Sequence, residues 1–248
     1  MSEAGRLKNI IGKSGVASLV GHHRRYHASV RQLKTLIAEG AVGMPVTATI
    51  IWAMRKPDSY FEGNWRTAGG SPVMINIVHD IDLLRFVIGE ITQATALRGA
   101  GRRGTRRIES GAIALAFGNG ATGTISFADT APSPWGFEAG TGENPNIGTT
   151  REDMLWITGT KGAISFPSMT LWSGTDWGTP AQRRDLKRAE DTRTPLEAQL
   201  DHFIDVMEGA APLIDVADAT CTLDITLQIE AQLAAETTGD HHVRSALA

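Results

Sequence analysis

The sequence holds a single cysteine, Cys221, among 248 residues. One thiol excludes an internal disulfide and leaves nothing for a cysteine-based metal site. Neither sign of charge is in large excess. A formal net charge of −3 gives no global electrostatic reason to bind nucleic acid or a membrane surface. No apolar run approaches the ~20 residues of a membrane-spanning helix. The first residues, MSEAGRLKNI, contain no apolar core suited to a signal peptide. Together these absences describe a soluble, cytoplasmic protein. Several chemical motifs are missing too: no G-x-x-x-x-G-K-[ST], no G-x-S-x-G and no H-E-x-x-H. Gly99, Gly101 and Gly104 (GAGRRG) satisfy G-x-G-x-x-G in form only. Arginine-rich sequence and another strand follow them, so no helix N-terminus would meet a phosphate.

What is present is enough apolar sequence, 42% of the chain, for one large domain or two modest ones. Residues Glu3 to Ser14 suit a short amphipathic helix that Gly15 ends. Val16 to Gly21 reads as a buried strand, which requires parallel neighbours that nothing before it supplies. Ala28 to Glu39 forms a second helix with Val30, Leu33 and Ile37 inward. Val46, Ala48, Ile50 and Trp52 alternate as in a strand. Ile91 to Arg98 is a further strand. Gly118-Asn119-Gly120 and Gly159-Thr160-Lys161-Gly162 each join two strands as a hairpin. Thr130 to Thr150, rich in Pro and Gly, is a long loop. Ser173 to Arg193 is a solvated edge strand or loop. Thr194-Pro195-Leu196-Glu197 is a capping box opening a helix that buries Leu200, Phe203, Ile204 and Met207. The segment after Asp215 is a long helix. Consecutive hairpin-joined strands flanked by helices predict an α+β fold: an open, largely antiparallel mixed sheet with helices on one face.

The stretch from Gly69 to Gly89, GGSPVMINIVHDIDLLRFVIG, concentrates the chemistry. Ser71 as N-cap, Pro72 at the first helical position and Gly89 after the last turn bound one helix. Ile77, Ile81, Leu84 and Ile88 make its apolar stripe. Asn76 and Asp82 flank His79 at a spacing of three. A histidine between an amide and a carboxylate is either a core histidine satisfied by its helix neighbours or a proton-transfer group. Arg24 and Arg25, just past the end of the Val16–Gly21 stretch, fit either an anionic or hydroxyl-rich ligand or an ion pair. The run Arg102, Arg103, Arg106, Arg107 reads as an exposed, solvated loop or as a phosphate or acidic-partner site. His22, His23 and His27 could bind a metal with His79, Asp80 or Asp82 if the fold converged them.

The ordered set VGHHRRYHASVRQLKTLIAEGAVGMPV, NWR, GGSPVMINIVHDIDLLRFVIGEI, LWITGTKGAISF and LEAQLDHFIDVMEGAAPLIDVADATCTLDITLQIEAQLA closely resembles the Gfo/Idh/MocA family of NAD(P)-dependent oxidoreductases, which act mainly on sugars, inositols and related polyols. The resemblance covers about Gly15 to Val243. It implies that residues 1–25 are the helix–strand remnant of a Rossmann domain and residues 26–248 a substrate and oligomerisation domain. It implies His79 as the proton-exchanging residue, with Arg24, Asn76, Asp82, Trp65 and Arg66 around the substrate. In the common family pattern an Asp stands four residues before that histidine; here the position is Ile75. The cofactor implied is NAD or NADP, held by sequence that precedes this stretch in family members rather than by this chain. The partners implied are a sugar or polyol and further copies of the chain, as a dimer or tetramer through the sheet. A non-catalytic binding or oligomerisation module and a metal-dependent hydrolase or isomerase are the alternatives.

Overall fold

Alternating apolar residues build the strand at the centre of the molecule. In β1 (Pro45–Ala53) Ala48, Ile50 and Trp52 are buried, whereas Thr47 and Thr49 on the opposite face are exposed. A computed structural model describes residues 3–63, 65, 70–104, 107–174 and 176–239. Seven more strands join β1 in one sheet: β2 (Ile91–Arg98), β3 (Ser110–Phe117), β4 (Thr122–Ala128), β5 (Leu155–Gly159), β6 (Gly162–Phe166), β7 (Thr170–Ser173) and β8 (Gln182–Asp185). Their spatial order is β2-β3-β4-β1-β5-β6-β7-β8. β1 pairs with β4 in parallel, Ile50 beside Ile125, and every other pairing is antiparallel. Residues of alternate parity on each strand therefore share a face. Ile113, Leu115, Ile125, Phe127, Leu155 and Ile157 join Ile50 and Trp52 in the core. The other face shows Thr47, Thr49, Ala112, Ala114, Thr122, Thr124 and Ser126 to solvent.

Helices cover the core face: α2 (Ala28–Ala38), α3 (Val78–Val87) and α6 (Val216–Gly239) pack on one another, and α6 lies along β2. The expected α+β fold is thus the observed one. α1 (Glu3–Ser14) sits beside α6 with none of its residues buried. α5 (Pro195–Met207) opens with the predicted capping box: the Thr194 hydroxyl accepts from the Glu197 amide, and the Glu197 carboxylate accepts from the Thr194 amide.

Four expectations need correction. Val16–Gly21 forms no strand; it runs extended beside 214–216, held by Val20 N donating to Ile214 O at 3.0 Å and Val216 N to Ser18 Oγ at 3.2 Å. A strand needs a ladder partner, and the sheet's edges lie elsewhere. The 130–150 loop contains a short helix, α4 (Phe137–Thr141), because Phe137 is fully buried and pulls the segment onto the core. In α5 the buried residues are Ala198 and Val206, while Leu200, Phe203, Ile204 and Met207 are exposed. Periodicity identified the apolar face of this helix without saying what covers it. The Gly69–Gly89 stretch is not one α-helix: Val73–Ile77 is a π turn, with Val78 N donating to Val73 O, before α3 begins. Ser71 still caps it, its hydroxyl accepting from Met74 N at 3.2 Å.

Two glycines separate space from conformational entropy. A Cβ on Gly159 would lie 2.3 Å from the Val42 carbonyl oxygen, whereas a Cβ on Gly12, within α1, would meet nothing within 4 Å. Gly159→Ala is expected to destabilise the fold by about 1–3 kcal/mol. Gly12→Ala is expected to stabilise its helix by about 0.5–1 kcal/mol. Urea denaturation of the two variants checks both, and equal effects would contradict the packing at β5.

Candidate functional site

The site grows from a 3₁₀ turn, His23–Tyr26, that forces four consecutive side chains in different directions. Arg24 points into the protein. It is 1% exposed and donates to Asp80 Oδ1 at 2.6 Å and Glu138 Oε1 at 2.9 Å, with its guanidinium 4.1 Å from the centre of the Phe137 ring. Arg25 grips both oxygens of Asp82, at 2.9 and 2.7 Å, and reaches Asp218 Oδ2 at 2.6 Å. Asp218 also accepts from Arg85, so one chain of charges links the turn to α3 and α6. Uncompensated, any of these buried ions would cost several kcal/mol; each is offset by a partner of opposite sign.

His79 lies at the centre of this arrangement, half-buried on α3. The His22 and His23 rings meet its ring edge-on, with centroids 5.9 and 5.3 Å away. Its Nδ1 is buried and accepts or donates no hydrogen bond among the described residues. Burial is the first cause that drives its pKa down to about 2, and the nearby Arg24, His23 and His22 push the same way. The imidazole is therefore neutral at pH 7. The sequence placed Asp82 and Asn76 beside it, but the structure engages both elsewhere. Asp82 serves Arg25 and accepts from Thr222 Oγ1 at 3.1 Å, and Asn76 Oδ1 accepts from Lys56 Nζ at 2.6 Å. The π turn changes the phase between Asn76 and His79, and the buried arginine captures the carboxylate.

Of the other expected residues, Arg24 is buried and joined to Asp80, near enough to His79 to depress its pKa. Trp65 is 62% exposed, and Arg66 falls outside the described residues. Sequence reading missed Lys56, Glu138 and Glu143. Lys56 is buried against Trp52 and Tyr60, with Nζ 5.4 and 4.9 Å from the ring centres. Glu143 Oε1 lies 3.1 Å from His23 Nε2. No sequence spacing connects these residues to His79; only the fold does. The histidines do not make a metal site: Asp80 and Asp82 are taken by arginines, and among the described residues no three His, Cys, Asp or Glu groups could hold an ion.

The glycine run that matches G-x-G-x-x-G in form is not built as a dinucleotide cradle. The Gly99–Gly104 run lies between strands β2 and β3 and leads into no helix. The backbone amides of Arg102 and Arg103, which a phosphate would need, already donate to the Glu109 carboxylate at 2.6 and 3.2 Å. No helix of the described residues is long and apolar enough to cross a membrane.

Residues 30–165 match the model of the GFO/IDH/MocA C-terminal domain. A 1,5-anhydro-D-fructose reductase from Ensifer adhaerens is 33% identical over 106 residues, 41% of this chain and 31% of that protein. An oxidoreductase from Agrobacterium radiobacter, solved with NAD+, L-tartaric acid and magnesium, superposes with a TM-score of 0.71 at 18% identity, over 93% of this chain and 67% of that one. The WlbA dehydrogenase from Bordetella pertussis, solved with NADH and UDP-GlcNAcA, superposes with a TM-score of 0.67 at 20% identity, over 93% and 65%. The chain thus spans about a third of that curated relative's length and about two thirds of these solved neighbours.

Burial lowers the pKa of His79, His22 and His27 below the ordinary 6.5. The unfolded chain takes up protons below pH 6.5 that the folded chain refuses. Their contribution to stability is thus complete above pH 6.5 and falls as the pH drops. Asp80, raised to about 6 by burial against the pull of Arg24, acts in the opposite sense between pH 6 and 3.8 and offsets part of the loss. Stability measured by urea denaturation is expected to decline from pH 7 to pH 5. His79→Gln should flatten that slope by up to one proton, about 1.4 kcal/mol per pH unit. An unchanged slope would contradict the buried, neutral imidazole.

Proposed function

The chain belongs to the GFO/IDH/MocA family, and we propose that it is the substrate-side part of an oxidoreductase acting on a CH–OH group of a sugar or polyol, with His79 as the proton-exchanging residue. The observation that carries this reading is the half-buried His79 imidazole, neutral, with an orphaned Nδ1 and two further histidines against its ring. A neutral imidazole can accept a hydroxyl proton or donate a hydrogen bond to the oxygen that loses it. Arg24 and Arg25 hold the turn that carries His22 and His23, and so position the ring. Asn76 and Lys56, joined at 2.6 Å, add polar groups at the π turn that precedes α3.

The nicotinamide dinucleotide of the family supplies hydride chemistry when bound, and the one glycine run of this chain that matches its motif in form leads into no helix. The reading therefore assigns residues 1–25 to the end of a dinucleotide-binding unit and residues 26–248 to the substrate and assembly domain. Exposed apolar side chains support a covering unit: Leu7 and Ile10 of α1, and Leu196, Leu200 and Met207 of α5, each 48–65% exposed. Several exposed apolar side chains on one helix suit an interface. The relatives' greater length supports the same reading. The open sheet face, set with Thr47, Thr49, Thr122 and Thr124, suits packing against a second copy, since small side chains let two sheets approach.

Calorimetry of the 248-residue chain is expected to show no binding of NADH or NADPH; stoichiometric binding would overturn the division of labour. Histidine NMR is expected to show the His79 ring shifting when inositol or glucose is added, and no shift with any polyol would remove it from the site. A carboxylate within about 4–6 Å favours the charged imidazole. Ile75→Asp is therefore expected to raise the His79 pKa from about 2 toward the ordinary histidine range. An unmoved titration would show that this position does not reach the ring.

A further inference from the structure

In the connection between β2 and β3 the arginine run is only partly solvated: Arg102 is exposed and Arg103 half-buried, while Arg106 falls outside the described residues. Arg107 is buried: it donates to the Gly70 carbonyl at 2.7 Å and lies 3.8 Å above the centre of the Phe61 ring. Arg103 donates to Asp129 Oδ1 at 2.5 Å, to Asp58 Oδ1 at 3.1 Å and to the Lys56 carbonyl at 2.9 Å. These two guanidinium groups are fixed parts of a wall. Between that wall, Phe61 and Thr130 lies a cavity of about 400 Å³, and Arg55 and Arg102 also line it. Arg55 and Arg102 are exposed, and among the described residues their guanidinium groups make no hydrogen bond or ion pair.

We propose that this cavity is a binding site for the anionic group, phosphate or carboxylate, of a small molecule. Four guanidinium groups converge on it. Of the carboxylates nearby, only Asp58 lines it; Asp129 and Glu109 are buried behind the wall, at 0% and 1% exposure, and are consumed by Arg103, Arg107 and backbone amides. The two exposed cations, without a partner among the described residues, line it as well. The bland reading is a pair of solvated surface arginines. Against it stand the concavity and the locked pair behind, which adds two fixed guanidinium groups to the same lining. An arginine fork matches the paired oxygens of a phosphate or carboxylate. The volume falls in the range of about 300–1,000 Å³ usual for small-ligand sites. A single concave pocket in a chain of net charge −3 suits one small anion, not a polyanionic strand.

The cavity adjoins the His79 helix. The carbonyl of Lys56 accepts from Arg103 while its ammonium donates to Asn76, so consecutive residues 55 and 56 send one side chain to each place. The proposal does not depend on the reaction assigned above.

The test titrates the full chain, in phosphate-free buffer of low ionic strength, with inorganic phosphate, D-glucose 6-phosphate, D-glucuronate and neutral D-glucose, followed by calorimetry. One-to-one binding of an anion is expected, with no comparable heat from glucose at this site. Tighter binding of the two phosphates identifies a phosphate site, and tighter binding of glucuronate a carboxylate site. Arg55→Gln and Arg102→Gln are each expected to weaken that binding about tenfold, and added salt should weaken it further. Both side chains are exposed, so an unchanged thermal midpoint will show that the variants fold. Three results would overturn the proposal: no anion binding at about 10 mM, binding unaltered in both variants, or glucose binding as tightly as the anions. Failure of polyols to shift His79 would leave this outcome untouched.

Discussion

Two buried arginines fix the geometry on which the site depends. Arg24 and Arg25 are neighbours in sequence, yet one enters the space between α3 and α4 and the other the space between α3 and α6. Their partners, Asp80 and Asp82, are two apart on α3. The chain at residues 23–26 has no sheet to hold it. It is held by ion pairs whose partners lie 56 to 193 residues away in sequence. Removing one member would strand a buried charge, which typically costs about 3–5 kcal/mol. The pairs add less net stability than that figure suggests, because forming them required desolvating both ions. What they supply is position: with both arginines seated, His22 and His23 can only stand against His79.

This arrangement decides which carboxylates remain for the imidazole. Asp80 and Asp82 flank His79 in sequence, and a helix reading makes at least one of them a natural partner. The arginines take both. His79 is left without a carboxylate partner, and its pKa falls to about 2, first through burial and then through Arg24, His23 and His22. Asn76 is drawn off by Lys56. An ion-pair network that reads as structural therefore sets the chemistry of the histidine.

Much of the fold was legible because local signals are short-range. Gly15 and Gly40 ended helices as expected, Asn119 between two glycines turned a hairpin, and Thr194 with Glu197 capped α5. Alternation placed Ile50 and Trp52 in the core correctly. The errors share one cause: they concern what lies across a gap in sequence. Leu200 and Met207 were read as core because amphipathicity reports an apolar face, not its neighbour. Val16–Gly21 was read as a strand because apolar runs do not announce whether a ladder exists beside them. The π turn at Val73–Ile77 escaped because one extra residue in a turn leaves the apolar spacing of Ile77, Ile81 and Leu84 intact. His79 itself was legible, but its lack of a partner was not. That depends on Arg25 reaching Asp82 and on Lys56 reaching Asn76, contacts that no spacing encodes.

The electrostatics of the site then carry a chemical consequence. A histidine in a desolvated pocket is a weak base, so it does not hold a proton against water at neutral pH. In the proposed role, a hydroxyl bound beside the ring would donate to the neutral imidazole, with full proton transfer unnecessary until hydride leaves the carbon. An aspartate within reach of the ring would favour the imidazolium and make it a stronger base. The two arginines act in the opposite sense through their partners: by holding Asp80 and Asp82 they leave the imidazole without a carboxylate and neutral.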